Sequence, residues 1–148
     1  MAASRKDLAC DAWGALLQVH AGLVPELDKE LRRRTGLPLA WYDVLLELRS
    51  ATDRRLTMSE LGDRVVLSRS RVSRVVDELV AEGLVARETN PADARSAHAV
   101  LTAAGRRRFR EAAPVYVSGI ERGFATGLSE AELRTITGAL QRVRERLG

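Results

Sequence analysis

The pattern of hydrophobic and polar positions between Leu56 and Thr102 predicts two short helices followed by two strands. The first helix has an apolar face made of Met58, Leu61 and Val65. The second has a longer apolar stripe, made of Val72, Val75, Val76, Leu79 and Val80. Its opposite side carries hydrogen-bond donors, at Arg69, Ser70, Arg71, Ser73 and Arg74. Such a helix buries its valines in a core and offers its polar side to a nucleic-acid groove.

Helix-start signals support this division of the chain. Thr57 and Glu60 have the spacing of a capping box, and Ser68 is a favourable N-cap for the second helix, which Gly83 ends. Two helices with a tight join form a helix-turn-helix, whose second helix enters the major groove by its N-terminal end. Because the arginines and serines lie at that end, the pattern predicts a DNA-binding protein.

The two strands are predicted over 84–89 and 97–102, around a polar loop at 90–95. An arginine at a loop tip, here Arg95, suits a narrow and electronegative minor groove. Asp93 either orients that guanidinium by a charge-assisted hydrogen bond or only caps the turn.

The segment from Leu56 to Thr102 resembles the winged helix of the MarR family of bacterial transcription regulators. The resemblance rests on LPLAWYDVLLEL (37–48), LSRSRVSRVVDELVAEGLV (67–85) and NPADARSAHAVLTAAG (90–105). It implies a mainly α fold with a small β-wing, a homodimer that binds double-stranded DNA, and a repressor that small ligands frequently release. By position, the DNA contacts would come from Ser68, Arg69, Ser70, Arg71, Ser73 and Arg74 of the recognition helix and from Asp93 and Arg95 of the wing.

The flanking segments predict dimerisation helices, so we expect a single domain over 1–148 with a winged helix-turn-helix lobe at 37–105. The helices at 7–36 and 106–148 have apolar stripes, and the same helices of a second copy would cover them around a two-fold axis. Pro25 predicts a kink near residues 21–25 or a break into two helices, and Pro114 predicts a second kink.

Charge agrees with a polyanionic partner, because the net charge is +4. The acidic residues Asp77, Glu78 and Glu82 occupy the far end of the recognition helix and would keep that end out of the groove. The arginines at 32–34 close a helix, where they complement its dipole, whereas those at 106–110 open a helix and are candidates for phosphate contacts.

Four residues are candidates for an effector pocket between the helices and the DNA-binding lobe: Trp13, His20, Trp41 and Tyr42. The plainer alternative is that the aromatic residues belong to the core and that His20 is a buried, hydrogen-bonded histidine. His98, on a wing strand, is expected to be exposed.

The sequence lacks the motifs of enzymes and of metal proteins, namely a phosphate loop, a nucleophile elbow and metal-ligand spacing. We therefore expect neither an enzyme nor a protein that binds a cofactor or a metal. Cys10 lies further toward the N-terminus than the cysteine of the peroxide-sensing branch of the family, so we do not expect a redox sensor. No apolar run is long enough to cross a bilayer, and we expect a cytoplasmic protein with no membrane partner. The competing hypothesis is a winged-helix protein-interaction module that does not bind DNA.

Overall fold

The computed structural model of the chain describes residues 2–148, apart from the side chain of Ala94. Its helices are α1 (Arg5–Thr35), α2 (Leu39–Ser50), α3 (Met58–Arg64), α4 (Arg69–Ala81), α5 (Ala103–Ile120) and α6 (Glu130–Leu147). Its strands are β1 (Arg55–Thr57), β2 (Val85–Asn90) and β3 (Asp93–Leu101), which pair antiparallel in the order β1-β3-β2. The predicted fold class, mainly α with a small β-wing, is confirmed.

Helix starts follow the sequence signals. The Thr57 hydroxyl accepts the amide of Glu60 at 3.1 Å, and the Glu60 carboxylate accepts the amide of Thr57 at 2.8 Å. The start of α2 is different, because Pro38 offers no side-chain cap there. Asp28 supplies the cap from α1, since its Oδ1 accepts the amide of Leu39 at 2.8 Å.

The chain divides into two compact units, and one of them comprises Val24–Tyr116. Its core joins the buried faces of α2, α3 and α4 to the inner face of the sheet and to the start of α5. Tyr42 is 3% exposed and stacks on Phe109, with ring centroids 5.0 Å apart. The ring centroids of Tyr42 and Tyr116 are 4.7 Å apart. The predicted valine stripe of α4 is buried, except that Val80 at its end is 37% exposed.

A close backbone approach joins the end of α4 to the start of α5. The Thr102 hydroxyl donates to the Gly83 carbonyl at 2.7 Å and accepts the amide of Gly105 at 3.0 Å. A Cβ atom at Gly105 would lie 2.1 Å from the Leu84 carbonyl oxygen, so only glycine fits at this position. Gly83 itself has a φ of 73° and ends α4 as predicted.

The other unit comprises the chain up to Leu23 together with Val117–Gly148. A π-helical turn over Glu121–Ala125 follows α5, and a capping box of Ser129 and Glu132 starts α6. A Cβ atom at Gly123 would lie 2.6 Å from Leu23 Cδ1, so the two segments pack closely there.

One of the two alternatives for the first helix was wrong. It does not break near Pro25, because α1 is one helix from Arg5 to Thr35, whereas the kink considered there stays a prediction. His20, expected to be buried, is exposed in the single chain. α5 also continues through Pro114, and the kink expected there stays a prediction.

Candidate nucleic-acid interface

The polar side of α4 faces solvent over its whole N-terminal half. All six residues that were predicted to contact DNA from this helix are exposed: Ser68, Arg69, Ser70, Arg71, Ser73 and Arg74. The opposite side is buried by Val72, Val75, Val76 and Leu79. Ser68 caps the helix as predicted, since its hydroxyl accepts the amide of Arg71 at 3.3 Å.

The arginines of this surface differ in their partners. Arg69 lies 3.7 Å from the Asp63 carboxylate, and both side chains are largely exposed. Among the residues that the structure describes, the guanidinium groups of Arg71 and Arg74 have no ion-pair or hydrogen-bond partner. These two side chains are therefore available to a ligand without the loss of an existing contact.

The acidic residues at the far end of α4 have long-range partners that sequence spacing did not reveal. The Asp77 carboxylate forms an ion pair with the guanidinium of Arg87, on β2, at 2.7 Å. The Glu78 carboxylate accepts a hydrogen bond from the indole Nε1 of Trp41, on α2, also at 2.7 Å. Both acids thus fasten α4 to neighbouring elements, in addition to any effect of their charge.

The wing is longer and its turn tighter than predicted. Because β3 begins at Asp93, the connection from Asn90 is only Pro91 and Ala92, and Arg95 lies on a strand, not at a loop tip. Asp93 has a different contact from the charge-assisted pair considered above, since its Oδ1 accepts the backbone amide of Arg95 at 3.0 Å. The Arg95 side chain is exposed.

A third strand, β1, was not predicted and closes the base of the wing. Leu56 of β1 lies opposite Ala99 of β3, and both side chains are buried. On the outer face, the Arg55 guanidinium reaches across β3 to the Glu88 carboxylate at 3.0 Å. His98, expected to be exposed, is half-buried on this face because strands flank it on both sides.

A cleft of about 280 Å³ lies between α3, α4 and β2. Polar and apolar residues both line it: Met58, Ser59, Gly62, Arg69, Val72, Ser73 and Arg87. Both arginines already pair with carboxylates, Arg69 with Asp63 at 3.7 Å and Arg87 with Asp77 at 2.7 Å, so an anion in the cleft would compete with these pairs.

The four candidates for an effector pocket have different environments. Tyr42 belongs to the core, and Trp41 is half-buried and bonded to Glu78. Trp13 is 60% exposed and His20 is exposed, and both lie in the unit formed by the chain ends.

One arginine of the 106–110 cluster has a structural role. Arg108 Nη1 donates to the carbonyl of Thr35 at 2.8 Å, where α1 ends, so it caps that helix. Arg106, Arg107 and Arg110 are exposed, and a phosphate role for them stays a prediction.

A carboxyl group with an altered pKa lies on α2. Burial, with a smaller contribution from the charge of Glu47, raises the pKa of Asp43 from 3.8 to about 6. Burial is also the main reason why the pKa values of Tyr42 and Tyr116 are raised, and the charge of Asp43 contributes to both.

Asp43→Asn is expected to stabilise the fold above pH 6. A carboxyl whose pKa is higher in the folded state favours folding below its unfolded pKa of 3.8, and this contribution is lost as the pH rises through about 6. The free energy of unfolding of Asp43→Asn should therefore exceed that of the unaltered protein by about 1 kcal/mol at pH 8, after allowance for partial exposure, and much less at pH 4. Urea unfolding at both pH values checks this. Equal differences at pH 4 and pH 8 would contradict it.

Two features are absent from the described residues. These residues contain no group of three or more histidine, cysteine, aspartate or glutamate side chains that could hold a metal ion. No helix in the same part of the chain has the length and apolar character needed to cross a membrane.

Comparison with known proteins gives consistent matches. The model of the MarR family matches residues 35–96. The HTH-type transcriptional regulator YkoM of Bacillus subtilis (strain 168) is 35% identical over 75 residues, which are 51% of this chain and 48% of that protein, so the match spans about half of each. An HTH-type transcriptional regulator of Bacillus cereus (strain ATCC 14579) is 28% identical over 120 residues, 81% of this chain and 78% of that protein.

Solved structures match over nearly the whole chain. The MarR family regulator Sco3205 of Streptomyces coelicolor, crystallised in complex with DNA, has a TM-score of 0.86 and 28% identity, and the alignment covers 100% of this chain and 92% of that one. AbsC, a MarR family regulator of the same organism, has a TM-score of 0.84 and 30% identity, with 99% and 97% of the two chains covered.

Proposed function

The chain belongs to the MarR family of transcriptional regulators, and on this premise we propose that it is a ligand-responsive repressor that binds a pseudo-palindromic operator as a homodimer. The observation that carries the proposal is the exposed arginine and serine side of α4, with Arg71 and Arg74 unpartnered among the described residues. The complex of Sco3205 with DNA supports the same use of this fold.

The homodimer is supported by the unit that contains the chain ends. Among its described residues, no apolar side chain is buried. Its exposed large hydrophobic side chains are Leu8, Trp13, Leu16, Leu17, Val19, Val117, Leu140, Val143 and Leu147. Monomeric soluble proteins rarely expose so much apolar surface, and a second copy around a two-fold axis would cover it.

Ligand response is supported by the cleft beside α4. Arg69 and Ser73 line this cleft and also belong to the predicted DNA-contacting surface. An anion bound there would occupy side chains that DNA needs, and its binding would oppose that of the operator.

Footprinting on the DNA beside the gene tests the proposal. A two-fold dimer with two recognition helices should protect two half-sites whose centres lie about 34 Å apart, one helical turn. Light scattering should give about twice the chain mass of 16.3 kDa. A stable monomer, or protection of one half-site only, would contradict the proposed dimer. Specific binding to no DNA would favour the alternative, a protein-interaction module.

The wing gives a separate prediction for Asp93 and Arg95. Arg95→Ala should weaken operator binding, with a sequence effect that follows the width of the minor groove. Asp93→Asn should stay within about twofold of the unaltered protein, because an asparagine oxygen also accepts the Arg95 amide. Fluorescence anisotropy gives the operator affinities of the unaltered protein, the two single variants and the double variant, which together form a double-mutant cycle. If Asp93→Asn lowers the affinity as much as Arg95→Ala does, and the double variant binds no more weakly than Arg95→Ala, then Asp93 orients the guanidinium of Arg95 instead.

A further inference from the structure

The hydrogen bond between Trp41 and Glu78 links the recognition helix to α2. Trp41 is half-buried near the start of α2, and its indole Nε1 donates to Glu78 Oε2 at 2.7 Å. Bonds of this length to an ionised acceptor are among the stronger hydrogen bonds in proteins. Trp41 also packs against the main core, so its indole is a fixed point from which Glu78 is held.

Glu78 occupies a position on α4 that matters for the arginines. Arg71, Arg74 and Glu78 have the spacing i, i+3 and i+7, so they lie along one side of the helix. A rotation of α4 that moved Glu78 would therefore carry both guanidinium groups in the same direction.

A second contact holds α4 from another side. Asp77, which precedes Glu78, is paired with Arg87 of β2 at 2.7 Å. Successive residues point about 100° apart around a helix axis, so the two neighbouring acids reach different elements, β2 and α2. The buried stripe of α4 sets its rotation in the core, and the two contacts, one to each neighbouring element, restrain it further on the polar side.

We propose that Trp41 and Glu78 are positioning residues that restrain the rotation of α4 and thereby aim Arg71 and Arg74 at the operator. The inference rests on the proposed DNA binding. It gives Glu78 the opposite effect to the one expected from its charge alone. If only the charge of Glu78 mattered, removing this carboxylate would strengthen operator binding, because a carboxylate repels a polyanion. If Glu78 positions α4, removing it weakens operator binding.

The test measures operator affinity for Trp41→Phe, Glu78→Ala and the double variant. Trp41→Phe removes the indole donor without changing any charge. Changes that touch neither ligand but alter such a contact typically modify binding about 2- to 30-fold, and we expect a loss in this range for each single variant. The double variant should lose no more than either single variant, because both remove the same contact.

Two further variants serve as controls. Glu82 is the C-cap residue of α4, four positions after Glu78, and is exposed, so Glu82→Ala removes the same charge without a positioning contact. It should leave the affinity unchanged or slightly raise it. Glu78→Gln keeps an oxygen that accepts the indole hydrogen, and it should restore most of what Glu78→Ala loses.

A measurement without DNA reports on the contact itself. In the ¹H–¹⁵N spectrum the chain has two indole signals, and Trp13→Phe identifies that of Trp41. Glu78→Ala should move this signal, speed its hydrogen exchange and shift the amides around Arg71 and Arg74, whereas Glu82→Ala should not. A change in folding alone would lower the melting temperature without this local pattern.

The two proposals fail in different ways. If the unaltered protein binds no operator DNA, the proposed function is wrong and Trp41 has no binding surface to position. If the unaltered protein binds but Trp41→Phe and Glu78→Ala bind equally well or more tightly, positioning is wrong. If Trp41→Phe loses affinity equally with and without Glu78, then Trp41 acts by another contact, and positioning is again wrong.

Discussion

Raising the salt concentration from about 50 to 200 mM is expected to weaken operator binding by roughly 10³-fold. Each phosphate that a cationic side chain neutralises releases condensed counterions, and the release becomes less favourable as salt increases. Four exposed arginines of each subunit are candidates for phosphate contacts, and a dimer has two copies of each: Arg69, Arg71, Arg74 and Arg95. Fluorescence anisotropy with the operator over a salt series measures the slope of the logarithm of the binding constant against the logarithm of the salt concentration.

Matched variants show which arginines are responsible for the slope. Arg95→Ala should reduce it, since one cationic contact is lost from each subunit. Arg144, exposed near the end of α6, is not among the residues proposed to contact DNA, and Arg144→Ala should leave the slope unchanged. An affinity that is insensitive to salt would contradict the arginine surface as the binding site.

Arg71→Ala or Arg74→Ala is expected to weaken operator binding about 5- to 150-fold, because a bidentate contact between arginine and guanine contributes about 1–3 kcal/mol. At least one of the two should read a base edge, since they lie one turn apart on the exposed side of α4. The loss should be accompanied by relaxed preference at one base pair in each half-site. Affinities for operators with single base-pair changes measure that preference.

Arginine-to-lysine variants separate base reading from charge at the same positions. Lysine keeps the positive charge but lacks the planar pair of donors that recognises guanine. The variant at the base-reading position should therefore keep the salt slope and lose the base preference. If every variant instead loses affinity uniformly across all operators, both arginines contact only the phosphate backbone.

The regular elements of the DNA-binding lobe could be predicted because their signals are local. The capping box at Thr57, the N-cap at Ser68 and the glycine at position 83 each act within one helical turn. The valine stripe of α4 follows from helical periodicity. The exposed arginine and serine side, which carries the proposed function, is the complement of that stripe and could be predicted with it.

The features that sequence reasoning missed depend on residues distant in the chain. β1 is only Arg55–Thr57 and exists because it pairs with β3, which no local pattern indicates. The bond from Trp41 to Glu78 joins residues 37 apart, and Arg108 caps a helix end 73 residues earlier. His20 was misjudged for another reason: an apolar stripe on a terminal helix shows that a surface will be covered, but not whether its own chain covers it.

The short strand β1 has a mechanical consequence for the wing. It pairs with β3 from His98 to Val100, whereas toward the tip β3 pairs with β2 alone, with an irregular register between Thr89 and Asn90. A ribbon of two strands is only marginally stable by itself, and a strand held on both sides is firmer. The wing is therefore stiff at its base and compliant at its tip. Because Arg95 lies on the compliant part, its side chain can adapt to grooves of different width while the core and the recognition helix remain undisturbed.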